Sequence, residues 1–188
     1  MTKKHVIKIP KNVSVYYCDT KHVIIISNSF AQKILRLKTR VILKKKEGII
    51  RITRVPFSEM SHNNKKTLKA LQGTQVSLLK QMLLDTSLLF CKKLDLVGVG
   101  FRVSTVKVLD LNLLHFKLGY SHSIYFKVPK NLRTFCLKTN KLFILGNSYL
   151  FVTQTAALIR SYKTPEPYKG KGILHTTEKI TLKEGKKI

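Results

Sequence analysis

Up to Pro56 the chain consists of short β-branched and aromatic runs separated by turn residues. Five of these runs predict strands, at 13–17, 22–27, 30–37, 41–46 and 49–54. The first two flank Asp19-Thr20-Lys21, which predicts a hairpin turn. In the last run Ile50 and Ile52 alternate with polar residues. This is the period of a strand that buries one face and leaves basic side chains on the other.

The pattern then becomes helical. Between about residues 63 and 84, large apolar side chains recur at three- and four-residue spacing, which predicts a helix with one buried stripe. The members of this stripe are Leu68, Leu71, Leu78, Leu79, Met82 and Leu83. Asn63 or Asn64 is expected to cap its start. Gly73 in the middle of the helix costs about 1 kcal/mol relative to Ala, so we expect it to mark a close packing contact.

Strand patterns return in the second half and lead to a second helix. Strands are predicted at 92–103, 108–118, 124–128, 132–137 and 142–145. Gly98 and Gly100 inside the first of them indicate a bulge or a close backbone approach. Asn147 or Ser148 is expected to cap a helix that ends before Pro165. The stripe predicted for this helix is Phe151, Thr155, Leu158 and Tyr162.

An internal echo relates the two parts of the chain. Residues 7–13 resemble residues 126–132, and the same ungapped alignment pairs Thr20 with Thr139. The echo predicts an α+β fold of two related domains, each an antiparallel β-sheet with one packed α-helix, followed by a basic C-terminal extension. The topologies of the two domains need not match strand for strand. The predicted boundaries are 1–84, 85–163 and 164–188.

The charge of the chain indicates the class of partner. Thirty-six Lys and Arg residues against nine Asp and Glu residues give a formal net charge of +27. Such an excess opposes the compact state unless an anionic partner neutralises it, and basic surface of this density is typical of nucleic-acid binders. A membrane surface is the alternative, but it prefers one basic amphipathic helix, whereas here the charge is spread along the chain. No apolar stretch is long enough to span a bilayer.

Few residues are placed for catalysis or metal binding. Cys18, Cys91 and Cys136 are widely spaced and form no Cys-x-x-Cys pair, which argues against disulfides and zinc. The histidines show no metal-ligand spacing, and Gly-Val-Gly at 98–100 lacks the third glycine of a dinucleotide site. We therefore predict no catalytic residue, metal or cofactor. The alternative, an RNA-processing or RNA-modifying enzyme with a basic two-domain body, would need a cluster of such residues.

The segment 163–173 combines features suited to RNA. Pro165 and Pro167 are expected to keep its backbone extended. A tyrosine in such a segment would stack on an unpaired base, lysines would neutralise phosphates, and glycines would let backbone N–H groups approach a phosphodiester closely. The residues concerned are Tyr168, Lys169, Gly170, Lys171 and Gly172. The alternative is a flexible basic linker.

Other basic residues complete the predicted RNA-binding set. They are Lys44, Lys45, Lys46, Lys92, Lys93, Arg102, Arg160, Lys163, Lys186 and Lys187. A charge run is ordinarily a solvated face. In a chain of this charge, however, solvated basic faces are also the surfaces on which RNA would dock.

Three ordered motifs resemble one protein family. Residues 92–102 (KKLDLVGVGFR), 118–122 (LGYSH) and 165–173 (PEPYKGKGI) are similar to segments of the universal large-subunit ribosomal protein six family, of the bacterial type. The tail at 183–187 and the first helix around Gly73-Thr74 resemble it as well. Val76 stands where the family usually has Arg, and residues 30–62 match poorly, so the family's RNA contacts in both places do not carry over to this chain.

The resemblance implies a structural protein with no reaction of its own. It implies two duplicated α+β domains on large-subunit rRNA, near the sarcin-ricin loop and the translation-factor site. The partners would be that rRNA, neighbouring large-subunit proteins and transient translation factors, with no small-molecule substrate. The A+T-type composition, the high charge and the lack of a transit peptide predict a mitochondrion-encoded member, the alternative being another organellar or a bacterial ribosome.

Overall fold

The computed structural model describes residues 5–29, 31–57, 65–108 and 111–185. Within it the chain forms two compact units, Met1–Leu88 and Leu89–Ile188. Some predictions lie outside the described residues: the caps Asn63 and Asn64, the first residue of the strand predicted at 30–37, and the basic residues Lys186 and Lys187. The three domain ranges derived from the sequence stay predictions.

Among its described residues, the first unit has six strands followed by a helix. The elements are β1 (Val6–Lys8), β2 (Ser14–Cys18), β3 (Val23–Ser27), β4 (Gln32–Arg36), β5 (Thr39–Lys44), β6 (Ile49–Pro56) and α1 (Lys65–Ser87). The strands form two antiparallel sheets, ordered β1-β6-β5 and β2-β3-β4. The predicted turn at 19–21 joins β2 to β3, and the amide of His22 donates to the carbonyl oxygen of Asp19 at 3.2 Å.

Helix α1 closes the core of the first unit. Its inward face carries Val76, Leu79, Met82 and Leu83, which belong to one buried cluster with side chains of both sheets. Leu78, predicted to be in the stripe, is 47% exposed because it lies one position away from the inward face. The close packing contact predicted at Gly73 is also wrong, since Gly73 is exposed and a Cβ there would meet no atom within 4 Å.

The described part of the second unit has seven strands and one helix. The elements are β7 (Phe90–Val97), β8 (Arg102–Val108), β9 (Leu111–Lys117), β10 (Ile124–Lys127), β11 (Leu132–Lys138), β12 (Lys141–Gly146), α2 (Tyr149–Ser161) and β13 (Gly172–His175). They form antiparallel sheets ordered β11-β12-β7-β13 and β10-β9-β8. The long strand predicted at 92–103 is divided into β7 and β8 by a turn in which the amide of Phe101 donates to the carbonyl oxygen of Gly98.

Helix α2 packs on the four-stranded sheet of the second unit. Its buried residues are Val152, Thr155, Ala156 and Ile159. Of the predicted stripe only Thr155 is buried, while Phe151 and Leu158 are about half exposed. The predicted stripe is therefore displaced by one residue, because large apolar side chains occur on both faces of this helix. No helix among the described residues is long and apolar enough to cross a membrane.

The two units repeat one topology. The order β1-β6-β5 corresponds to β7-β12-β11, the order β2-β3-β4 corresponds to β8-β9-β10, and a helix follows the sixth strand in each. The α+β prediction of two related domains is thus confirmed, with the strands of each unit divided between two sheets. The echo itself is aligned wrongly, since it matches β1 to β10 rather than to β7. Strand β13, which pairs with β7, is the addition in the second unit.

Candidate nucleic-acid interface

The three sequence motifs come together in the second unit. The Gly98–Phe101 turn, the residues after β9 and the loop after α2 lie around a cleft of about 480 Å³. The ring of Phe101 packs against the backbone of two glycines. A Cβ on Gly98 would stand 2.9 Å from this ring, and a Cβ on Gly119 would stand 3.2 Å from it. Gly98 of one motif and Gly119 of the other are therefore packing positions for one aromatic side chain, whereas a Cβ on Gly100 would meet no atom within 4 Å.

Tyr120 joins the cleft to the end of helix α2. Its hydroxyl donates a hydrogen bond to the carbonyl oxygen of Tyr162 at 3.0 Å. The ammonium of Lys163 lies 4.3 Å from the centroid of the Tyr120 ring, within the range of a cation–π interaction. Lys163, one of the predicted RNA contacts, is half-buried against this ring.

The segment 163–173 is a folded loop and not the extended strip predicted from its prolines. The amide of Ile173 donates to the carbonyl oxygen of Lys163, and the amide of Glu166 to that of Lys171, both at 2.9 Å. The amide of Gly170 donates to the carbonyl oxygen of Glu166 at the same distance. These bonds fold the loop back on itself, so it also differs from a flexible linker.

The two glycines of this loop adopt backbone conformations that other residues rarely adopt. Gly170 has a φ of +66° and uses its amide within the loop. Gly172 is buried with a φ of +154°, and a Cβ there would lie 2.5 Å from the Cα of Pro165. Both glycines thus satisfy constraints of the protein backbone, and the close approach of their N–H groups to a phosphodiester stays a prediction.

The loop presents its tyrosine and one lysine to solvent. Tyr168 is 54% exposed and Lys169 is exposed, while Lys171 is half-buried at the cleft. The amide of Lys183 donates to the carbonyl oxygen of Pro167 at 2.9 Å, which fixes the following segment to the loop. An aromatic ring and a cation are thus held on adjacent residues of a structured support.

Two other predicted cations are committed to acidic partners. The guanidinium of Arg160 forms a two-point ion pair with Glu178. This hydrogen bonding raises the pKa of Arg160 and is the main reason that the pKa of Glu178 is lowered. The ammonium of Lys93 lies 3.7 Å from Asp95 Oδ1 and 5.9 Å from the ring centroid of Phe143. Each side chain would therefore have to break its ion pair before it could bind a phosphate.

The remaining predicted cations lie in separate places. Lys92 borders a cleft of about 390 Å³ next to α2, and Arg102 is exposed at the start of β8. In the first unit Lys44, Lys45 and Lys46 lie at the β5–β6 turn, where Lys44 pairs with Glu47 at 2.9 Å. They border a cleft of about 500 Å³ together with two tyrosines of β2, Tyr16 and Tyr17.

The part of the chain that the structure describes contains no grouping of three His, Cys, Asp or Glu side chains able to hold a metal ion. Its three cysteines are free. Sequence reasoning missed Phe101 and Tyr120 as individual organisers of the cleft, because their partners lie on other elements. It also missed a stacked aromatic pair, half-buried His115 on β9 and exposed Tyr125 on β10.

Comparison with known proteins gives one consistent similarity. The family model of ribosomal protein L6 matches residues 97–176, the stretch that holds the cleft and the loop. Large ribosomal subunit protein uL6 of Mycoplasmoides gallisepticum is 37% identical over 183 residues, covering 96% of this chain and 93% of the relative. The uL6 of Buchnera aphidicola is 44% identical over 118 residues, 63% of this chain and 65% of the relative. The protein uL6m of Reclinomonas americana is 35% identical over 182 residues, with 96% and 95% covered.

Proposed function

Because the chain belongs to the uL6 family of large ribosomal subunit proteins, we propose that it binds large-subunit rRNA through the folded loop at 163–173. The family is one of structural ribosomal proteins, so the prediction that the chain is not an enzyme is confirmed. The observation that carries the RNA proposal is the pair Tyr168 and Lys169, exposed on adjacent positions of a hydrogen-bonded support.

The loop can contact RNA in two ways. The ring of Tyr168 stacks on an unpaired base or ribose, and the ammonium groups of Lys169 and Lys171 neutralise phosphates. Since the loop is folded before binding, little conformational entropy is lost when RNA arrives. Arg160 and Lys93 contribute less than the sequence suggested, because each already has an acidic partner.

The first test measures the salt dependence of RNA binding. The double variant Lys169→Ala/Lys171→Ala should weaken binding to a large-subunit rRNA transcript. It should also reduce the slope of log K against log salt concentration by roughly 0.7 to 0.9 for each phosphate that is no longer neutralised. A matched control, Lys65→Ala/Lys69→Ala, removes two exposed charges from helix α1. An unchanged slope in the loop variant, or equal changes in both variants, would contradict the proposed role of the loop.

We further propose the position in the ribosome that the sequence resemblance implied, near the sarcin-ricin loop and the translation-factor site. Support comes from family membership and from the match of the family model to the unit that carries the loop. Chemical protection of rRNA in purified ribosomes, with and without this chain, tests the position. Protection confined to nucleotides far from the sarcin-ricin loop would refute it.

The proposed location is the mitochondrial ribosome. Support comes from the uL6m relative and from the composition, which has only four alanines beside abundant Lys, Leu and Ile. Two bacterial uL6 proteins are 37% and 44% identical to the chain, against 35% for uL6m, so a bacterial ribosome is the competing location. Mass spectrometry of ribosomes from purified mitochondria and from the remaining cell fraction distinguishes the two. Peptides of this chain found only outside mitochondria would exclude the organelle.

A further inference from the structure

The outer face of the β10-β9-β8 sheet forms four ordered rows of side chains. In these strands Val103, Leu114 and Phe116 point into the core, so the residues that alternate with them point outward. The pairing register aligns the outward residues across the strands. The rows are Arg102–Lys117, then Ser104–His115–Tyr125, then Val106–Leu113–Lys127, and last the apolar pair Val108–Leu111.

The second row is an aromatic platform. The rings of His115 and Tyr125 are stacked, with centroids 5.0 Å apart and an interplanar angle of 26°. Ser104 Oγ lies 3.4 Å from His115 Nδ1, at the outer limit of a hydrogen bond, on the side of the row away from Tyr125. Tyr125 is 61% exposed. The pair is therefore ordered by its neighbours, while much of the tyrosine surface is open to a partner.

Cations stand on both sides of this platform. Arg102 and Lys117 occupy the row before it and Lys127 the row after it, all three exposed. Rows two residues apart along a strand are separated by about 7 Å, so a base on the platform would leave its flanking phosphates close to these cations. None of the three strands contains Asp or Glu. This charge pattern favours a polyanion over a basic or purely apolar protein partner.

We propose that this face, the platform surface, binds single-stranded RNA and stacks one unpaired base on Tyr125 and His115. The bases of a duplex are stacked inside the helix, so a duplex can use only the cations of the platform surface. The inference depends on the proposed function only in taking RNA as the partner, since its residues are separate from the loop at 163–173.

The first unit supplies a matched control. The pairing of β4 with β3 corresponds to the pairing of β10 with β9. Ile34 on β4 lies opposite Ile25, just as Tyr125 on β10 lies opposite His115, so Ile34 is the residue equivalent to Tyr125. Ile34 is 64% exposed, close to the exposure of Tyr125. Ile34→Ala therefore removes a similarly exposed apolar side chain at the equivalent position without removing an aromatic ring.

The experiment compares two RNA probes on the full-length chain by fluorescence anisotropy: a short unstructured oligouridylate and an RNA duplex of the same length. Tyr125→Ala should weaken oligouridylate binding by roughly 5- to 150-fold, the range for removal of one stacked base. It should leave duplex binding nearly unchanged. Tyr125→Phe should retain the wild-type affinity, and Ile34→Ala should match it. Circular dichroism melts verify that each variant is folded.

Several results would overturn the inference. Unchanged oligouridylate affinity in Tyr125→Ala refutes stacking on the platform surface. The proposed function would still stand if the Lys169→Ala/Lys171→Ala variant bound rRNA more weakly. Equal weakening for oligouridylate and duplex refutes the preference for unpaired bases. A wild-type chain that binds neither probe refutes the platform surface as an RNA site, while the proposed function is decided separately by binding to the rRNA transcript. Photo-crosslinking of Tyr125 to a ribosomal protein, and not to rRNA, in assembled subunits would assign this face to a protein partner instead.

Discussion

Gly172 connects the folded loop to the four-stranded sheet, and replacing it with alanine tests how strictly the two are coupled. The residue begins strand β13, where it pairs with Val97 of β7. A Cβ at this position would lie 2.5 Å from the Cα and 2.8 Å from the N of Pro165. Both are backbone atoms, so no side-chain rotation can relieve the clash. Either the loop or the strand must move, and the strand is held by Ile173, which is fully buried.

Two costs add up in Gly172→Ala. The φ of +154° is one that a residue with a Cβ rarely adopts, and backbone strain of this kind costs about 1–3 kcal/mol. Forcing an extra carbon into a packed site costs about 1–3 kcal/mol more. The free energy of unfolding should therefore fall by about 2–6 kcal/mol, the sum of these two ranges. For a chain of this length the melting temperature should fall by at least about 4 °C.

Alanine variants of two other glycines separate the cost of backbone strain from the cost of the steric clash. The free energy of unfolding of each variant is measured by thermal and urea unfolding, followed by circular dichroism. Gly100 has a φ of +76° but nothing within 4 Å of a Cβ, so Gly100→Ala measures backbone strain without a clash. Gly185 has nothing within 4 Å and no left-handed φ, so Gly185→Ala should be nearly neutral. The expected order of destabilisation is Gly172, then Gly100, then Gly185. If Gly172→Ala came within about 0.5 kcal/mol of Gly185→Ala, the scatter of ordinary surface changes, the reasoning would be wrong.

Two further predictions concern a helix and an ion pair. Gly73 lies on the outward face of α1, and a Cβ there would meet no atom within 4 Å. Gly73→Ala should therefore raise the free energy of unfolding by about 0.5–1 kcal/mol. A lower melting temperature in this variant would contradict the prediction. The pKa of Glu178 is lowered below its ordinary value of 4.5, chiefly by Arg160, so the stabilisation by this pair is present above that pH and is lost as the pH falls below it. Glu178→Gln should lower the free energy of unfolding by about 1 kcal/mol at neutral pH and flatten its decline in acid, measured by urea titrations across this pH range. An equally steep decline in the variant would assign the acid sensitivity to another group, such as His175, whose pKa is lowered by burial.

Element types could be predicted where one face of a segment is clearly apolar. The alternation at Ile50 and Ile52 identified β6, and both side chains are buried. The stripes of both helices were less certain, because Leu78 and Leu158 are large apolar residues on outward faces. Periodicity alone cannot distinguish an apolar side chain that is buried in the core from one that is exposed on the surface.

Topology was harder to predict than element type. The ungapped echo between residues 7–13 and 126–132 joined segments that occupy different places in the repeated fold. Short strands bounded by Pro, Lys and Asn share a composition whatever their position in a sheet, so local similarity carries little information about strand order. The true repeat, β1 to β6 and β7 to β12, is defined by long-range pairing. A single sequence does not record such pairing.

Three glycines of the motifs that revealed the family are residues whose identity the fold itself restricts. Gly98 and Gly119 make room for the ring of Phe101, and Gly172 makes room for the backbone of Pro165. These requirements hold whether or not RNA is bound, so the motifs report the architecture of the second unit more directly than they report its ligand. The rings proposed to stack on RNA, those of Tyr168 and Tyr125, are exposed and have no such packing role. They lie instead on two ordered surfaces that the fold leaves open, the folded loop and the platform surface.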